Sequence, residues 1–361
     1  MLWHRWQAAG FDRAYRTKNS GYGGLMYFVI VGADESHVRR VLSHELQDPR
    51  SILRLHVDAS SGRKAYDKRA IELILSERVH LQPTALKDYS WQMCCQNGQI
   101  ACAFDHRIFP GKSAMELLQK LSDWPGTWPA APHIKFWPGL REVAAYRWLR
   151  SLWRLPPGTI GPDDKQSLRI FRYKMKDFRK SAAGATSDFL ELFGKLIRDS
   201  LVTDVPYLNI LNLGYFDSTS ALSNKLYGLV CTVWKEDTAQ LIMERIREWP
   251  KQVLGSCFLA HFISGFSMLR GRIDICLSSL RVYSSERRPY DISYPGFQWG
   301  VYIFNVFCDD TLEGVIHVRT ESIDTELLIE EAQRRGMEIE LDIDSEEALV
   351  DHLSAMGLSM Q

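Results

Sequence analysis

Residues 99–111 read Gln-Ile-Ala-Cys-Ala-Phe-Asp-His-Arg-Ile-Phe-Pro-Gly, and this stretch decides the fold. The apolar run that ends at Phe104 predicts a buried strand, and Pro110-Gly111 predicts a turn into the next element. One imidazole, that of His106, therefore lies where a rigid strand ends. Functional side chains are commonly displayed at the carboxyl ends of strands, because those ends are open. The remainder of the chain can be interpreted as two halves that enclose this histidine.

The elements on both sides of this stretch are predicted from hydrophobic spacing. Tyr89–Gln96 and Gln99–Phe104 are predicted to form a hairpin around Asn97-Gly98, a dipeptide strongly favoured in two-residue turns. An amphipathic helix is predicted to follow, with an apolar face made of Ala114, Met115, Leu117, Leu118 and Leu121. The histidine motif thus follows a hairpin and precedes a helix.

Similar patterns predict the other elements of a mixed α/β (α+β) fold. The other predicted strands are Leu25–Gly32, Ile52–Val57, Leu168–Tyr173, Tyr207–Leu213, Leu226–Trp234, Ile273–Leu280, Val301–Phe307 and Val315–Arg319. The other predicted helices are Ser36–Leu46 with Ser36 as its cap, a tryptophan-rich helix at 141–154, a helix capped by Ser187 and Asp188 with Glu191 completing a capping box, Thr238–Trp249, 323–335 and 345–356. Ser284–Gly296 is predicted to be a long polar loop.

A proline-rich stretch from Leu155 to Asp164 is the best candidate for a linker. It divides the chain into a predicted N-terminal lobe, residues 1–160, which carries the histidine motif, and a C-terminal lobe, residues 161–361. A length of 361 residues is sufficient for two domains or for one large bilobal fold.

Composition excludes several classes of function. The 44 basic and 44 acidic residues give a formal net charge of zero, which argues against a dedicated nucleic-acid-binding protein. No apolar stretch approaches the roughly 20 residues that cross a bilayer, and the N-terminus lacks the layout of a secretory signal. The seven cysteines are odd in number and form no CxxC pair, which favours reduced thiols in a cytoplasmic protein, with Cys102 in the core. No histidine pair has HxxxH or HExxH spacing, so no metal centre is expected.

Three local motifs, in this order of elements, resemble the chloramphenicol-acetyltransferase-like superfamily of CoA-dependent acyltransferases. The superfamily includes plant-type alcohol acyltransferases, nonribosomal peptide condensation domains, polyketide-associated acyltransferases and dihydrolipoamide acyltransferases. Its active-site motif, His-x-x-x-Asp-Gly, is similar to the segment that runs from His106 to Gly111. Asn224 follows Ser223 where many members have an asparagine, and Phe297-Gln298-Trp299-Gly300 resembles the Asp-Phe-Gly-Trp-Gly segment of the plant-type enzymes.

The resemblance implies two chloramphenicol-acetyltransferase-like lobes with mixed sheets and an active-site channel between them. His106 would then act as the general base that removes a proton from an acceptor hydroxyl or amine as it attacks an acyl thioester. The tetrahedral oxyanion needs a hydrogen-bond donor, and the sequence leaves that choice open. Candidates for catalysis or substrate binding are Ser218, Thr219, Ser220, Asn224 and Trp299.

The co-substrate implied is an acyl-CoA or a phosphopantetheinyl thioester, with no bound cofactor. The implied partners are a small-molecule acceptor and an acyl or peptidyl carrier protein, and natural-product biosynthesis is the expected setting. Asp105 and Arg107 are interpreted as an ion pair that fixes the loop, with Pro110 and Gly111 as structural residues beside the site.

Pro110 stands where the family motif has an aspartate that is mostly structural. This departure supports a first alternative, a non-catalytic docking or scaffolding member of the same fold. A second alternative is a cyclisation or isomerisation that uses His106 or only the shape of the channel.

Overall fold

A computed structural model of the chain describes part of each of the two predicted lobes. The described residues are 25–31, 34–48, 51, 53, 55–57, 64–66, 91–96, 99–105, 111–125, 155–161, 168–215, 226–248, 272–282, 290–293, 300–308 and 310–355. They form a mixed α/β fold with a four-stranded sheet, a seven-stranded sheet and a short two-stranded ribbon. The predicted fold class is therefore confirmed. The tryptophan-rich helix predicted at 141–154 lies outside the described residues.

The elements of the first half lead to the histidine motif. In chain order they are β1 (Leu25–Val31), α1 (Glu35–Gln47), β2 (Leu55–Val57), β3 (Lys64–Tyr66), β4 (Trp91–Gln96), β5 (Gln99–Asp105) and α2 (Gly111–Leu121). Strands β4 and β5 pair antiparallel, with Gln96 opposite Gln99. This pairing leaves two residues for the turn, so the predicted hairpin around Asn97-Gly98 is confirmed.

The second half builds the larger sheet. In chain order its elements are β6 (Arg169–Met175), α3 (Ala185–Asp199), β7 (Tyr207–Tyr215), β8 (Leu226–Trp234), α4 (Ala239–Glu248), β9 (Ile275–Val282), β10 (Tyr290–Ser293), β11 (Val301–Cys308), β12 (Thr311–Val318), α5 (Thr325–Arg334), β13 (Met337–Ile343) and α6 (Glu346–Ala355). The strand order is β13-β6-β12-β11-β9-β7-β8.

One face of the seven-stranded sheet carries the main hydrophobic core. Alternate residues of its strands, among them Phe171, Ile303 and Ile316, pack with Phe193 and Ile197 of α3. Side chains alternate between the faces of a sheet, so each strand contributes every second residue to this core. Helices α4 and α5 also contribute to the core, so three helices cover this face.

Two predicted helix starts are wrong. Helix α1 begins at Glu35, and Asp34 is its cap because the Asp34 carboxylate accepts a hydrogen bond of 2.9 Å from the N–H of Ser36. The predicted cap, Ser36, is therefore a residue of the first turn. The four N–H groups of a first turn lack partners within the helix, and the side-chain oxygen of the preceding residue satisfies one of them.

Helix α3 begins at Ala185, before the predicted cap residues Ser187 and Asp188. The Asp188 carboxylate instead accepts hydrogen bonds from the N–H and hydroxyl of Ser181. Glu191 does not complete a capping box, because it accepts a hydrogen bond of 2.6 Å from the N–H of Ala239 at the start of α4. Tertiary partners thus replace the local capping that the sequence pattern predicts.

The structure contains three strands that the sequence pattern did not reveal, namely β3, β10 and β13. Strand β10 lies within the predicted polar loop Ser284–Gly296, so that prediction is wrong for Tyr290–Ser293. It pairs with β1, more than 250 residues earlier in the chain, and this long-range pairing has no local signal. Strand β13 lies between the two predicted C-terminal helices, which are confirmed as α5 and α6, and pairs with β6.

The sequence pattern predicts a hairpin of Val301–Phe307 and Val315–Arg319 across Asp309–Gly314, and the hairpin of β11 and β12 is tighter than that prediction. Cys308 pairs with Thr311, so only two residues turn the chain and the segment from Thr311 to Gly314 belongs to the strand. A side chain cannot be accommodated at Gly314, because a Cβ there would lie 2.0 Å from the carbonyl oxygen of Phe304. Glycine is therefore required where these two backbones approach each other.

The predicted linker is a packed segment in its described part, residues 155–161. Leu155 and Ile160 are buried, and the segment lies against the start of the sheet strands β7 and β9. The boundary between residues 160 and 161 stays a prediction. A single boundary at this place does not account for β10. This strand belongs to the second half of the sequence but pairs within the four-stranded sheet, whose other strands come from the first half.

Candidate functional site

The chain has the predicted strand before His106 and the predicted helix after Pro110. Strand β5 ends at Asp105 and helix α2 begins at Gly111. His106, Arg107 and Pro110 lie outside the described residues. Their catalytic or structural roles, and the ion pair of Asp105 with Arg107, stay predictions.

Strand β5 is held rigidly on both sides. It is an interior strand between β1 and β4, and Cys102, Ala103 and Phe104 are fully buried. Phe104 pairs with Trp91, whose indole Nε1–H donates a hydrogen bond of 2.8 Å to the carbonyl oxygen of Leu53. A residue that follows Asp105 is therefore attached to a fixed support.

The helix after the motif is anchored in a similar way. The buried residues of α2 are the predicted ones: Ala114, Met115, Leu117, Leu118 and Leu121. Near its C-terminus, the carbonyl oxygen of Lys120 lies 2.8 Å from Nε2 of His37 on α1, and the Lys120 ammonium lies 2.6 Å from the Glu45 carboxylate. Helix α2 is thus fixed to α1, so both ends of the His106 turn have rigid supports.

Strand β10 places a segment from the second half of the chain near the C-terminal end of β5. It runs parallel to β5 with β1 between them, because Ser293 pairs with Tyr27 and Tyr27 pairs with Ala103. Neighbouring strands lie about 4.8 Å apart, so β10 and β5 are separated by about 10 Å. The C-terminal ends of β10 and β5 therefore lie at the same end of the four-stranded sheet. Trp299 follows β10 in the chain, and His106 follows β5.

The predicted substrate-binding residues Ser218, Thr219 and Ser220, together with Asn224, lie outside the described residues. The strands around them are described. Strands β7 and β8 pair along their whole length, with Tyr215 opposite Leu226. The ten residues 216–225 therefore connect two paired strand ends at one end of the seven-stranded sheet.

Trp299 also lies outside the described residues, but the next residue, Gly300, is described. Its carbonyl oxygen accepts a hydrogen bond of 2.8 Å from the N–H of Arg319. A Cβ at Gly300 would lie 3.1 Å from Ile160 and 3.2 Å from the carbonyl oxygen of Gly161, so the linker passes directly beside this position.

The sheet register separates the chain segments that flank Trp299 and Asn224. Val301 and Ile210 both pair with Ile275 of β9, so they lie at the same level of the sheet. Tyr215 lies five residues beyond Ile210, which is about 17 Å along the strand. The segments that carry Trp299 and Asn224 thus join opposite ends of the seven-stranded sheet, while the joint catalytic role of these two residues stays a prediction.

A buried carboxylate that sequence reasoning missed lies at the start of β9. Asp274 accepts three backbone hydrogen bonds: Oδ1 from Thr159 at 2.5 Å and Ile160 at 2.7 Å, and Oδ2 from Asn209 at 2.7 Å. Burial raises the pKa of Asp274 to about 6, and the three N–H donors oppose that rise. The only sequence signal is a single acid just before an apolar strand.

His317 is a second buried group that sequence reasoning set aside, since it has no metal-ligand spacing. It is 3% exposed on β12, and its ring packs edge-on against that of Tyr302 with 5.6 Å between centroids. Burial and the nearby guanidinium groups of Arg319 and Arg172 lower the pKa of His317 to about 3. The imidazole is therefore neutral at pH 7.

Buried thiols lie on strands of both large sheets. Cys102, Cys231 and Cys276 are free and buried, and burial raises the pKa of the Cys231 thiol to about 11. No helix in the described part of the chain is long and apolar enough to cross a membrane. Across the same residues, no cluster of His, Cys, Asp and Glu is arranged to hold a metal ion.

Comparisons by sequence find no relative. No family model matches the chain, and no curated protein matches it. Comparison with solved structures, in contrast, finds several proteins of similar fold. A condensation domain that mediates chain release from the enacyloxin polyketide synthase aligns with a TM-score of 0.54 at 14% identity, over 98% of this chain and 82% of that one.

Two further solved structures have the same fold. The starter condensation domain of rhizomide synthetase, in complex with C8-CoA and Leu-SNAC, aligns with a TM-score of 0.60 at 11% identity, over 91% of this chain and 90% of that one. The cyclization-docking bidomain of the EpoB synthetase from Sorangium cellulosum aligns with a TM-score of 0.55 at 12% identity, over 91% and 81%. The expected relationship to condensation-type folds is confirmed at the level of structure: this chain has the two-lobed fold of the condensation domains of nonribosomal peptide and polyketide synthases.

Proposed function

We propose that this protein is an acyltransferase that moves an acyl group from a CoA or carrier-protein thioester to a hydroxyl or amine. One observation carries the proposal: in a condensation-domain fold, a rigid interior strand ends at Asp105, immediately before His106, and a helix begins at Gly111. The proposal assigns His106 as the general base. A neutral imidazole with an unperturbed pKa near 6.5 suits this role at pH 7.

The reaction needs no covalent enzyme intermediate, because a thioester is already activated. His106 removes the proton from the acceptor as the acceptor oxygen or nitrogen attacks the thioester carbonyl, and the thiolate leaves after the tetrahedral intermediate collapses. The oxyanion requires a hydrogen-bond donor. The hydroxyl groups of Ser218, Thr219 and Ser220, the amide of Asn224 and the indole N–H of Trp299 are the candidates for that donor.

Thioester use is supported by a structural relative. The rhizomide synthetase domain is described in complex with C8-CoA. The alignment includes 91% of this chain and 90% of that domain. The other relatives belong to synthases that make natural products. A natural-product tailoring step with a carrier protein as partner is therefore the setting that we propose.

The test compares the wild-type protein with His106→Ala. Each is incubated with a panel of acyl-CoAs, with acyl groups loaded on a carrier protein, and with hydroxyl and amine acceptors, while free thiol release and product mass are measured. We expect turnover by the wild-type protein and a loss of at least about 100-fold in His106→Ala, the usual contribution of a general base. His44→Ala, which removes an exposed imidazole at the end of α1, is the matched control and should retain full turnover.

Two outcomes would contradict the proposal in different ways. If the wild-type protein releases no thiol with any donor and acceptor, acyl transfer is wrong. If His106→Ala turns over as fast as the wild-type protein, the assignment of the base is wrong even though the activity is right.

Pro110 favours a second candidate, a docking or scaffolding module of the same fold. The motif aspartate that it replaces would brace the histidine loop, and proline has neither a carboxylate nor a backbone N–H. Complete absence of turnover combined with stable binding of a carrier protein would favour this candidate. Product formation with no net acyl transfer would favour cyclisation, the reaction class in the name of the EpoB relative.

A further inference from the structure

The described part of the predicted linker, residues 155–161, is fixed by side chains of β7 and of the residues just before β9. Three of its carbonyl oxygens accept hydrogen bonds from these side chains: that of Leu155 from Arg272 at 2.6 Å, that of Pro156 from Asn209 at 3.0 Å and that of Pro157 from Tyr207 at 3.0 Å. Two of its N–H groups are held by Asp274. The segment is therefore attached to the seven-stranded sheet along most of its length.

Asp274 holds the C-terminal part of this segment through one oxygen atom. Its side chain is fully buried, and Oδ1 accepts the N–H of Thr159 at 2.5 Å and the N–H of Ile160 at 2.7 Å. With a pKa of about 6, the carboxyl group is mostly ionised at pH 7, and hydrogen bonds to an ionised acceptor are about twice as strong as neutral ones. The Asp274 carboxylate therefore sets where the backbone of Thr159 and Ile160 lies.

Gly300 lies against the part of the linker that Asp274 holds. Gly300 precedes Val301 as Asp274 precedes Ile275, and Val301 pairs with Ile275, so the two residues lie side by side where β11 and β9 begin. A Cβ at Gly300 would lie only 3.1 Å from the Ile160 side chain, so the linker leaves little room for a side chain there. Because the Gly300 carbonyl oxygen also accepts the N–H of Arg319, the linker and the end of β12 together fix the backbone at Gly300.

Gly300 matters for the candidate site because Trp299 is bonded directly to it. Residues 294–299 connect Ser293, the last residue of β10, to Gly300. One end of this connection is fixed, because Ser293 pairs with Tyr27 in the four-stranded sheet. The other end is fixed at Gly300 by the linker and β12. The point from which the Trp299 side chain extends therefore depends on the anchor at Gly300.

We propose that Asp274 is a positioning residue that keeps the linker against Gly300 and so sets the backbone position from which Trp299 extends. The catalytic consequence rests on the proposed function, which makes the indole N–H of Trp299 a candidate donor to the oxyanion. Asp274 itself touches no substrate and exchanges no proton in that reaction. A displacement of about 1 Å at a positioned group can lower a rate about 100-fold, so Asp274 affects kcat through Trp299.

The first test measures the surroundings of Trp299 without any substrate. The protein is labelled with 5-fluorotryptophan, which gives a fluorine resonance for each of the 11 tryptophans, and the resonance of Trp299 is the one absent from Trp299→Phe. We expect this resonance to shift in Asp274→Asn, because an amide has a single acceptor oxygen and its NH2 group then faces a backbone N–H. We expect a shift also in Gly300→Ala, whose Cβ presses on the linker from the side of Gly300.

Two controls separate positioning from general destabilisation. Gly161→Ala adds a Cβ to the same linker where no atom lies within 4 Å, and Ile242→Ala removes a fully buried side chain from α4. Both should leave the Trp299 resonance at its wild-type position. An unshifted resonance in folded Asp274→Asn, or an equal shift in Ile242→Ala, would overturn the proposal. If Asp274→Asn does not fold, Gly300→Ala decides in its place by the same criterion.

The second test measures turnover, so that the two proposals can fail independently. We expect Asp274→Asn to lower kcat at least about tenfold and to change KM for the acyl donor less than about twofold. Asp274→Asn combined with Trp299→Phe should be no slower than the slower single variant, because both substitutions remove the same interaction. Rate losses that multiply would show that Asp274 does not act through Trp299. Absence of turnover in the wild-type protein would contradict the proposed function, and the fluorine resonance would then decide the positioning role by itself.

Discussion

The carboxylate of Asp274 accepts a hydrogen bond of 2.7 Å from the backbone N–H of Ile160, which connects the predicted linker to the start of β9. Ile160 is 1% exposed and lies in the main core. Asn209 adds to the connection, because its Nδ2 donates to the carbonyl oxygens of Pro156 and Arg272. The predicted linker has the composition of a flexible segment. Its described residues, 155–161, are nevertheless held against the seven-stranded sheet by these hydrogen bonds.

Asp274→Ala is expected to destabilise the protein by about 3 kcal/mol or more, because it leaves three buried N–H groups without their acceptor. The measurement is the free energy of unfolding in urea. Asp204→Ala is the control, since Asp204 is exposed and its carboxylate forms a surface ion pair with Lys235, and it should cost less than about 1 kcal/mol. Equal losses in the two variants would show that the Asp274 hydrogen bonds contribute no special stability.

The raised pKa of Asp274, about 6 in the fold against an ordinary value of 3.8, makes its contribution to stability depend on pH. The folded state binds more protons than the unfolded state between these two values, so stability falls as pH rises from about 4 through about 6. The shift corresponds to about 3 kcal/mol as an upper estimate. Asp274→Asn lacks this titration.

We therefore expect the stability of Asp274→Asn relative to wild type to increase between pH 4 and pH 7. Urea unfolding of both proteins at several pH values in that range measures it. A difference that stays constant across the range would mean that the carboxyl group titrates with its ordinary pKa in the fold.

Gly314→Ala is expected to destabilise the hairpin of β11 and β12 by several kcal/mol, since a Cβ would overlap the carbonyl oxygen of Phe304. Gly161→Ala is the matched control, because no atom lies within 4 Å of the Cβ that it adds. Thermal unfolding distinguishes the two. A Gly314→Ala protein as stable as Gly161→Ala would contradict the close approach of the strands.

The cap of α1 can be tested by two single substitutions. Asp34→Ala should cost about 1 kcal/mol, because it removes the acceptor of the Ser36 N–H. Ser36→Ala should cost little, because its side chain is exposed and only its backbone N–H takes part in that hydrogen bond. If Ser36→Ala is the more damaging substitution, the cap predicted from the sequence pattern is right after all.

Local signals predicted much of the framework of the fold. Asn97-Gly98 predicted the hairpin before the histidine, because only a few dipeptides fit a two-residue turn. Helical spacing predicted the five buried residues of α2, since one face of that helix has to be covered. These features depend on neighbours in the sequence, and neighbours are what a sequence pattern contains.

The site was predictable only in part. The strand end before His106 was visible as an apolar run, and the structure confirms where that run ends. The position of β10 near the end of β5 could not be predicted, because a four-residue strand is stabilised only by its pairing with β1, far away in the sequence. Asp274 and His317 were missed because burial and the identity of partner atoms, rather than sequence spacing, distinguish them from ordinary residues.

By itself, the sequence determined the strand before His106, the helix that begins at Gly111, the mixed α/β class and the absence of a strong charge bias. Turn chemistry and hydrophobic period act over a few residues, which is why the chain alone specifies them. The tertiary structure alone decided that β10 pairs in the four-stranded sheet, that Asp274 holds the predicted linker, and that His317 is enclosed with no hydrogen-bond partner among the described residues. Each of these depends on groups far apart in the chain, and only folding brings such groups within the few ångströms over which hydrogen bonds and packing act.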